Sequence, residues 1–213
     1  MTAYDLNEIE IAIINDLRYN IVDPNSRGST ATETFNGDGV TKSFVLAQTI
    51  TSALVTISSV VMKYGSEYVI NSSGTTITFE TAPSTGTNNI SVAYKYGITW
   101  VYPDFNKNNI TLADFPRISC GVISSSTQPN ATSGDSYKTS MIVSITIAGK
   151  TRQQINTLIN LVRTRLLDNN KSFGLFNMIE PSNESAIADS ALHNRIMQRS
   201  IDFFIPYKSE VKN

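Results

Sequence analysis

Residues 4–20 read YDLNEIEIAIINDLRYN. Asp5, followed three residues later by Glu8, has the form of a capping box with aspartate in place of Ser or Thr, and Leu6, Ile9, Ile13 and Leu17 recur behind it at helical spacing. The stretch predicts an amphipathic helix, and such a helix needs an apolar surface to cover. None follows directly. Asp23-Pro24-Asn25-Ser26-Arg27-Gly28 reads as a stop and a linker, since proline cannot continue the helix and glycine loosens the chain. The next stretch is all strand, and patterns able to pack on the helix return only after Trp100. Residues 1–30 plus 99–213 are therefore expected to form one discontinuous domain, with residues 31–98 inserted as a small β domain.

From Glu33 to Tyr96 the apolar period shortens: Phe44 and Leu46, Val55 and Ile57, Val69, Ile77 and Phe79, then Ile90, Val92, Tyr94 and Tyr96. Between these lie Asn36-Gly37-Asp38-Gly39, Gly65-Ser66, Ser73-Gly74 and Pro83-Ser84-Thr85-Gly86, residues suited to the positive φ of tight hairpins. A small antiparallel sandwich or open barrel of about five strands is expected. A unit of this size is marginal alone, so docking on its host or on a partner should support it.

Beyond it, Trp100 to Leu112 has no clear period and reads as a structured connection, and Arg117 to Ile123 as a strand. Ser124 to Ser136 is a polar segment containing Pro and Gly that reads as a loop, either exposed or ordered by a partner. Met141, Val143, Ile145 and Ile147 alternate with Ser140, Ile142, Ser144 and Thr146, a strand with one apolar face. Thr151 and Gln154 then form a capping box before a second helix, whose Ile155, Leu158, Ile159, Val162 and Leu166 share a face. Burying such a face contributes ~1.5 to 3 kcal/mol per large side chain. Asp168-Asn169-Asn170 ends it. Phe173, Leu175 and Met178 suggest a further strand, and Arg195 to Ile205 alternates again. The fold class is α+β: two helices packed on a mainly antiparallel sheet, with an inserted all-β, sandwich-like domain.

Composition narrows the chemistry. Charged residues make up 16% of the chain, below the ~25% of ordinary domains, and Ser, Thr and Asn occupy the surface instead. With 17 basic and 18 acidic side chains, no net field draws the protein onto nucleic acid or anionic lipid. One cysteine, Cys120, makes no internal disulfide, and one histidine, His193, leaves a Cys/His zinc site without ligands. Cys120 falls in a predicted strand as a small apolar residue, and His193 in a polar stretch without a triad signature. Gly37-Asp38-Gly39 precedes a strand and lacks the phosphate-loop pattern. No catalytic, cofactor or metal site is expected, nor an enzyme. The acidic start lacks the basic region of a signal peptide and no run approaches a membrane span, so a soluble, unprocessed protein is expected. Arg163 and Arg165 on the second helix, with Arg195 and Arg199 near the last strand, either face a nucleic acid or are solvated and ion-paired.

Two pieces of the chain carry a resemblance. Phe35 to Phe44, Glu67 to Ile70, Ile77 to Phe79, Ala82-Pro83, Gly86 and Ile90 to Tyr94 resemble a small β module that recurs in virion proteins of tailed bacteriophages. Phe115 to Ile123, the strand at 138–148, the helix at 151–167, Gly174-Leu175-Phe176 and the strand through Phe203 are similar, in pattern and order, to tail terminator (tail completion) proteins of long-tailed phages. The inserted module departs from the minimal family. The resemblance implies a structural virion protein without cofactors: a ring, commonly a hexamer, at the neck that caps the tail tube and stops its polymerisation. It would contact the tube protein on one face and the head–tail connector and other neck proteins on the other, with genomic DNA passing through the lumen and no membrane partner. Assembly would occur in the host cytoplasm. In this reading the loop from Ser124 to Tyr137, with Gln128, Asn130, Asp135 and Tyr137, reaches a neighbour, and Arg163, Arg195 and Arg199 are interface charges. Two alternatives stay open: another neck protein, the stopper, or a receptor- or carbohydrate-binding module in which Tyr64, Tyr68, Tyr94 and Tyr96 offer stacking surfaces.

Overall fold

A computed structural model describes residues 6–103, 114–129, 136–168, 179–186, 188–189 and 196–210. In chain order α1 (Leu6–Asn20) is followed by β1 (Ser29–Gly37), β2 (Ser43–Val45), β3 (Ile50–Ile57), β4 (Val60–Val61), β5 (Tyr68–Ile70), β6 (Thr76–Phe79) and β7 (Gly86–Tyr96). Then come β8 (Val101–Tyr102), β9 (Arg117–Pro129), β10 (Ser136–Gly149), α2 (Arg152–Asp168), β11 (Glu180–Glu184), β12 (Ala188–Asp189) and β13 (Met197–Glu210). The class is α+β and mostly sheet.

A six-stranded sheet in the order β11-β13-β10-β9-β8, with β12 beside β13, is antiparallel except where Val101 and Tyr102 of β8 run parallel to Ile118 and Ser119. Its centre is the alternating strand: Met141, Val143, Ile145 and Ile147 all point to one face and are buried. Both helices cover that face. α2 contributes Ile155, Leu158, Ile159, Val162 and Leu166, and α1 contributes Ile9, Ile13 and Leu17, against Ile118, Cys120, Ile201, Phe203 and Ile205 of the flanking strands. The opposite face carries Ser144, whose hydroxyl donates to Asp202 at 2.7 Å, and Thr146, which shares a 2.7 Å hydrogen bond with Ser200. At the start of α2 the Thr151 hydroxyl accepts the Gln154 N–H at 3.1 Å. The Gln154 side chain reaches back to the Lys150 N–H, also at 3.1 Å, one residue before the cap.

Residues 29–96 build two smaller sheets, β1-β7-β3-β4 and β2-β6-β5. Phe44, Leu46, Ile50, Val55, Tyr68, Ile77, Phe79, Ile90, Val92 and Tyr94 fill the space between them. The turns differ from the sequence reading. Asn36 to Gly39 is no hairpin: β1 pairs with β7, from Ser29↔Tyr96 onward, and β2 with β6, so this segment crosses between sheets, as does Pro83 to Gly86. Ser73-Gly74 does close the β5–β6 hairpin. An unforeseen hairpin joins β3 to β4 through Ser58 and Ser59, whose φ values are 49° and 68°. Serine takes the left-handed region here without the glycine or asparagine that would have marked it.

Other expectations shift. β9 continues to Pro129, so Ser124 to Pro129 is paired strand and not loop, after a bulge opposite Ile142 and Val143. β13 continues past Ile205 to Glu210. α1 is buried on more than its apolar stripe, since Ala12, Ile14 and Asn15 are also buried, where the helix meets β3 and β7. The Asp5 cap, residues 104–112 of the expected connection, and Phe173, Leu175 and Met178 lie outside the described residues.

Candidate functional site

The segment expected to reach a neighbour is a strand extension. Gln128 pairs in register with Lys138, and Tyr137 with Pro129. Asn130 and Asp135 lie outside the described residues. Main-chain pairing continues past Met141 and Ile205 to Ser136↔Glu210 on one side of β10 and Tyr137↔Pro129 on the other. Ser124, Ser125 and Ser126 are exposed, and the Ser126 and Ser140 hydroxyls meet at 2.9 Å. β8 pairs only with Ile118 and Ser119, and the Val122 N–H donates to the Glu10 carboxylate at 3.4 Å, so among the described residues no strand pairs with the outer edge of β9 beyond that point.

Of the candidate charges, the structure brings Arg163 and Arg199 together on one carboxylate. Glu184 pairs with Arg163, and its Oε1 lies 2.7 Å from Arg199. Arg199 also donates to the Ser185 carbonyl at 3.0 Å and to Asn156 at 2.9 Å, while Arg163 donates to Asn160 at 3.3 Å. Glu184 sits on β11, in the aperiodic run Pro-Ser-Asn-Glu-Ser, and carries no sequence signal for this role. Arg165 donates through Nε to Asp16 at 2.8 Å and so ties α2 to α1. Arg195 lies outside the described residues. Arg163, Arg165 and Arg199 are ion-paired, and partly exposed pairs of this kind contribute ~0 to 1 kcal/mol each.

The residues that sequence reasoning missed lie where α1 meets residues 29–96. Asn15 donates to the Ala53 carbonyl at 3.3 Å and accepts its N–H at 3.1 Å, taking both main-chain groups of a β3 residue that β4 does not reach. Tyr68 donates to the same carbonyl at 3.0 Å. Arg18 spans the junction, with Nε donating to Val101 at 2.9 Å and Nη1 to Thr51 at 3.1 Å. Lys95 donates to the Arg18 carbonyl at 2.9 Å. The expected linker is an ordered knot: Asp23 is buried and accepts from Arg27 Nε at 2.7 Å, Arg27 Nη2 at 2.9 Å and the Asn25 and Arg27 N–H groups. Burial works against its charge, but these donors prevail and hold its pKa below the usual carboxylate value. Gly28, at φ +76°, passes so close to Tyr96 and Ile98 that a Cβ would stand 2.9 Å from both carbonyls.

Groups with chemical potential are occupied structurally. Cys120 is buried beneath α1, and burial, with Glu10 nearby, pushes its thiol pKa up, away from a nucleophilic thiolate. Asp38 accepts the Val40 N–H at 2.8 Å, the Thr41 N–H at 2.6 Å and the Thr41 hydroxyl at 2.6 Å, so the turn that a phosphate loop would use satisfies itself. Tyr68 and Tyr94 are 3% and 2% exposed and offer no stacking face. Tyr64 and Tyr96 are half-buried, packed on the core. No group of His, Cys, Asp and Glu among the described residues is arranged to hold a metal, and His193 lies outside them. Among the described residues no helix is long and apolar enough to cross a membrane. Compared with known proteins, the chain matches no family and no curated relative.

Proposed function

We propose that the chain is a structural virion protein of a tailed phage: a ring-forming tail terminator at the neck that caps the tail tube, stops its polymerisation and joins the tail to the head connector. The observation that carries the reading is the long ribbon of β9, β10 and β13, paired past Met141 and Ile205, whose outer β9 edge meets no strand beyond Val122 among the described residues. Fixing each residue of such a ribbon costs about 1 to 2 kcal/mol of backbone entropy, and an open edge strand presents unpaired main-chain groups that template pairing with another chain. A neighbouring subunit against the open edge of β9 supplies the missing contacts. Head-to-tail contacts of that kind close into a ring when the rotation closes, and a cap needs two unlike faces. The large sheet has them, with helices on one side and hydrogen-bonded Ser, Thr and Asp on the other.

Residues 1–30 with 99–213 form the ring domain in this reading, and residues 31–98 are an insert that reaches toward a neighbour in the neck. Two features support the division: the pairing Ser29↔Tyr96, which brings the ends of the interval together, and the two distinct hydrophobic clusters that share only Tyr64.

Light scattering of the purified chain and negative-stain imaging of assembled tails test the reading. A ring-sized oligomer located at the head end of the tube is expected, and virions lacking the protein should carry overlong or headless tails. A strictly monomeric protein absent from the neck refutes the proposal. Filled heads that leak DNA from otherwise normal necks assign the chain to the stopper instead.

A further inference from the structure

Between the last turn of α1, β3, β7 and Trp100 lies a cavity of about 280 Å³. Its charged lining is unbalanced, with Arg18, Arg27 and Lys95 set against the single carboxylate of Asp23. Asp23 is already held by two nitrogens of Arg27, at 2.7 and 2.9 Å. Arg18 and Lys95 form no ion pair among the described residues. Their hydrogen-bond partners are carbonyls, Val101 and Thr51 for Arg18 and Arg18 itself for Lys95, whose ammonium also stands 5.9 Å from the Tyr19 ring centre, and each cation keeps N–H donors beyond these. Burial lowers the pKa of both, although Asp23 nearby partly offsets the shift at Lys95. Ser29, Thr30, Thr51 and Thr99 add hydroxyls to the lining.

Apolar surface borders these cations. Val22 and Ile98 line the cavity yet are 78% and 68% exposed. From Val22 the apolar surface continues through Pro24 to Leu161 on α2, which is 48% exposed. A free oxyanion would satisfy the cations and leave this surface in water, whereas an acidic residue within an apolar peptide covers both.

We propose that the cavity recognises a carboxylate on a partner protein, an Asp or Glu side chain flanked by apolar residues, seated between Arg18 and Lys95 with its neighbours over Val22 and Ile98. Such a ligand joins α1 to β3 and β7 at their seam, and the inference stands whether or not the chain forms a ring.

The test is an NMR titration of the whole chain with Ac-Leu-Asp-Leu-NH2, with Ac-Leu-Asn-Leu-NH2 and with inorganic phosphate, following the Arg18 Nε and Lys95 Nζ signals. The Asp peptide is expected to shift both signals and to bind about tenfold more tightly than the Asn peptide, as a charge-assisted hydrogen bond requires. Lys95→Met, which leaves Arg18 in place, should narrow the gap between the two peptides, and Ile98→Ser should weaken both while keeping their ratio. Equal binding of the two peptides to the unaltered chain, or silence at Arg18 and Lys95, overturns the proposal without recourse to any variant. So does phosphate binding as tight as that of the Asp peptide, which would make this a free-oxyanion site. Self-association that Lys95→Met abolishes and the Asp peptide does not displace would give the cavity to a second copy, and likewise overturns it.

Discussion

In the large sheet, β10 buries one unbroken row of Met and β-branched residues beneath two helices, whereas the paired sheets of residues 29–96 close on a mixed core rich in aromatic rings. Phe44 lies 5.4 Å from Phe35 and 5.8 Å, edge-on, from Phe79, and Tyr64 stands edge-on to Tyr68 at 5.4 Å. The turns differ as well. In the smaller sheets, side chains hold the backbone at several bends: the Asn71 side-chain oxygen accepts the Thr75 and Thr76 N–H groups at 2.8 and 3.0 Å, and Asn89 links Gly37 to Ser84 with two bonds of 2.8 Å. Long strands under a helical layer take their stability from area, and short strands between crossing turns take it from many local polar bonds. The first kind of region tolerates surface change, and the second depends on its loops.

Core truncation probes that contrast most strongly. Phe203→Ala, in the fully buried row of β13, and Phe79→Ala, between the two smaller sheets, should each cost about 3 to 5 kcal/mol in urea unfolding. Hydrogen exchange distinguishes them: Phe79→Ala should speed exchange in β2, β5 and β6 and leave β10 protected. Equal loss across both regions would mean that they unfold as one unit.

Asn15→Ala acts at the seam. It leaves the Ala53 N–H without its acceptor, while the Ala53 carbonyl keeps Tyr68 as donor, so a loss of about 1 to 3 kcal/mol is expected, with the calorimetric transition splitting in two. A single sharp transition in this variant would show that the junction does not couple the regions. Thr151→Ala removes the cap of α2 and should lower stability by about 1 kcal/mol, read as a lower urea midpoint with an unchanged slope.

The smallest effect is on the turn at Asp38. The Thr41 hydroxyl first, then the Thr41 and Val40 N–H groups, bring its pKa down to about 2. A folded value below the unfolded ~3.9 means that the stabilisation is complete above the unfolded pKa and is lost as pH falls from about 4 toward 2. A side-chain carboxyl titration by NMR should find that midpoint near 2, and Thr41→Val should return it toward the unfolded value.

The helices, the alternating rows of β10 and β13 and the apolar face of α2 were legible because period and burial coincide in them. The ribbon was not. Ser124 to Pro129 has no apolar alternation, and its pairing is carried by main-chain bonds to β10 that leave no trace in side-chain type. The Asn36 to Gly39 segment has turn chemistry, and from turn chemistry a hairpin was inferred, but the partner of β1 lies some sixty residues away on β7. Arg163 and Arg199 could be named as charges, but Glu184, which holds both, could not, because an exposed-looking carboxylate in a polar run resembles any other.

Local pattern thus dictated which segments become helix or strand and which faces turn inward, since periodicity is a property of neighbouring residues and the backbone's geometry translates it directly. Partnership was settled by three-dimensional packing alone: β1 with β7, Asn15 with Ala53, and Arg18 beside Lys95 around one cavity. Those contacts depend on where distant segments come to rest, and a polar side chain signals its ability to bond without signalling to whom.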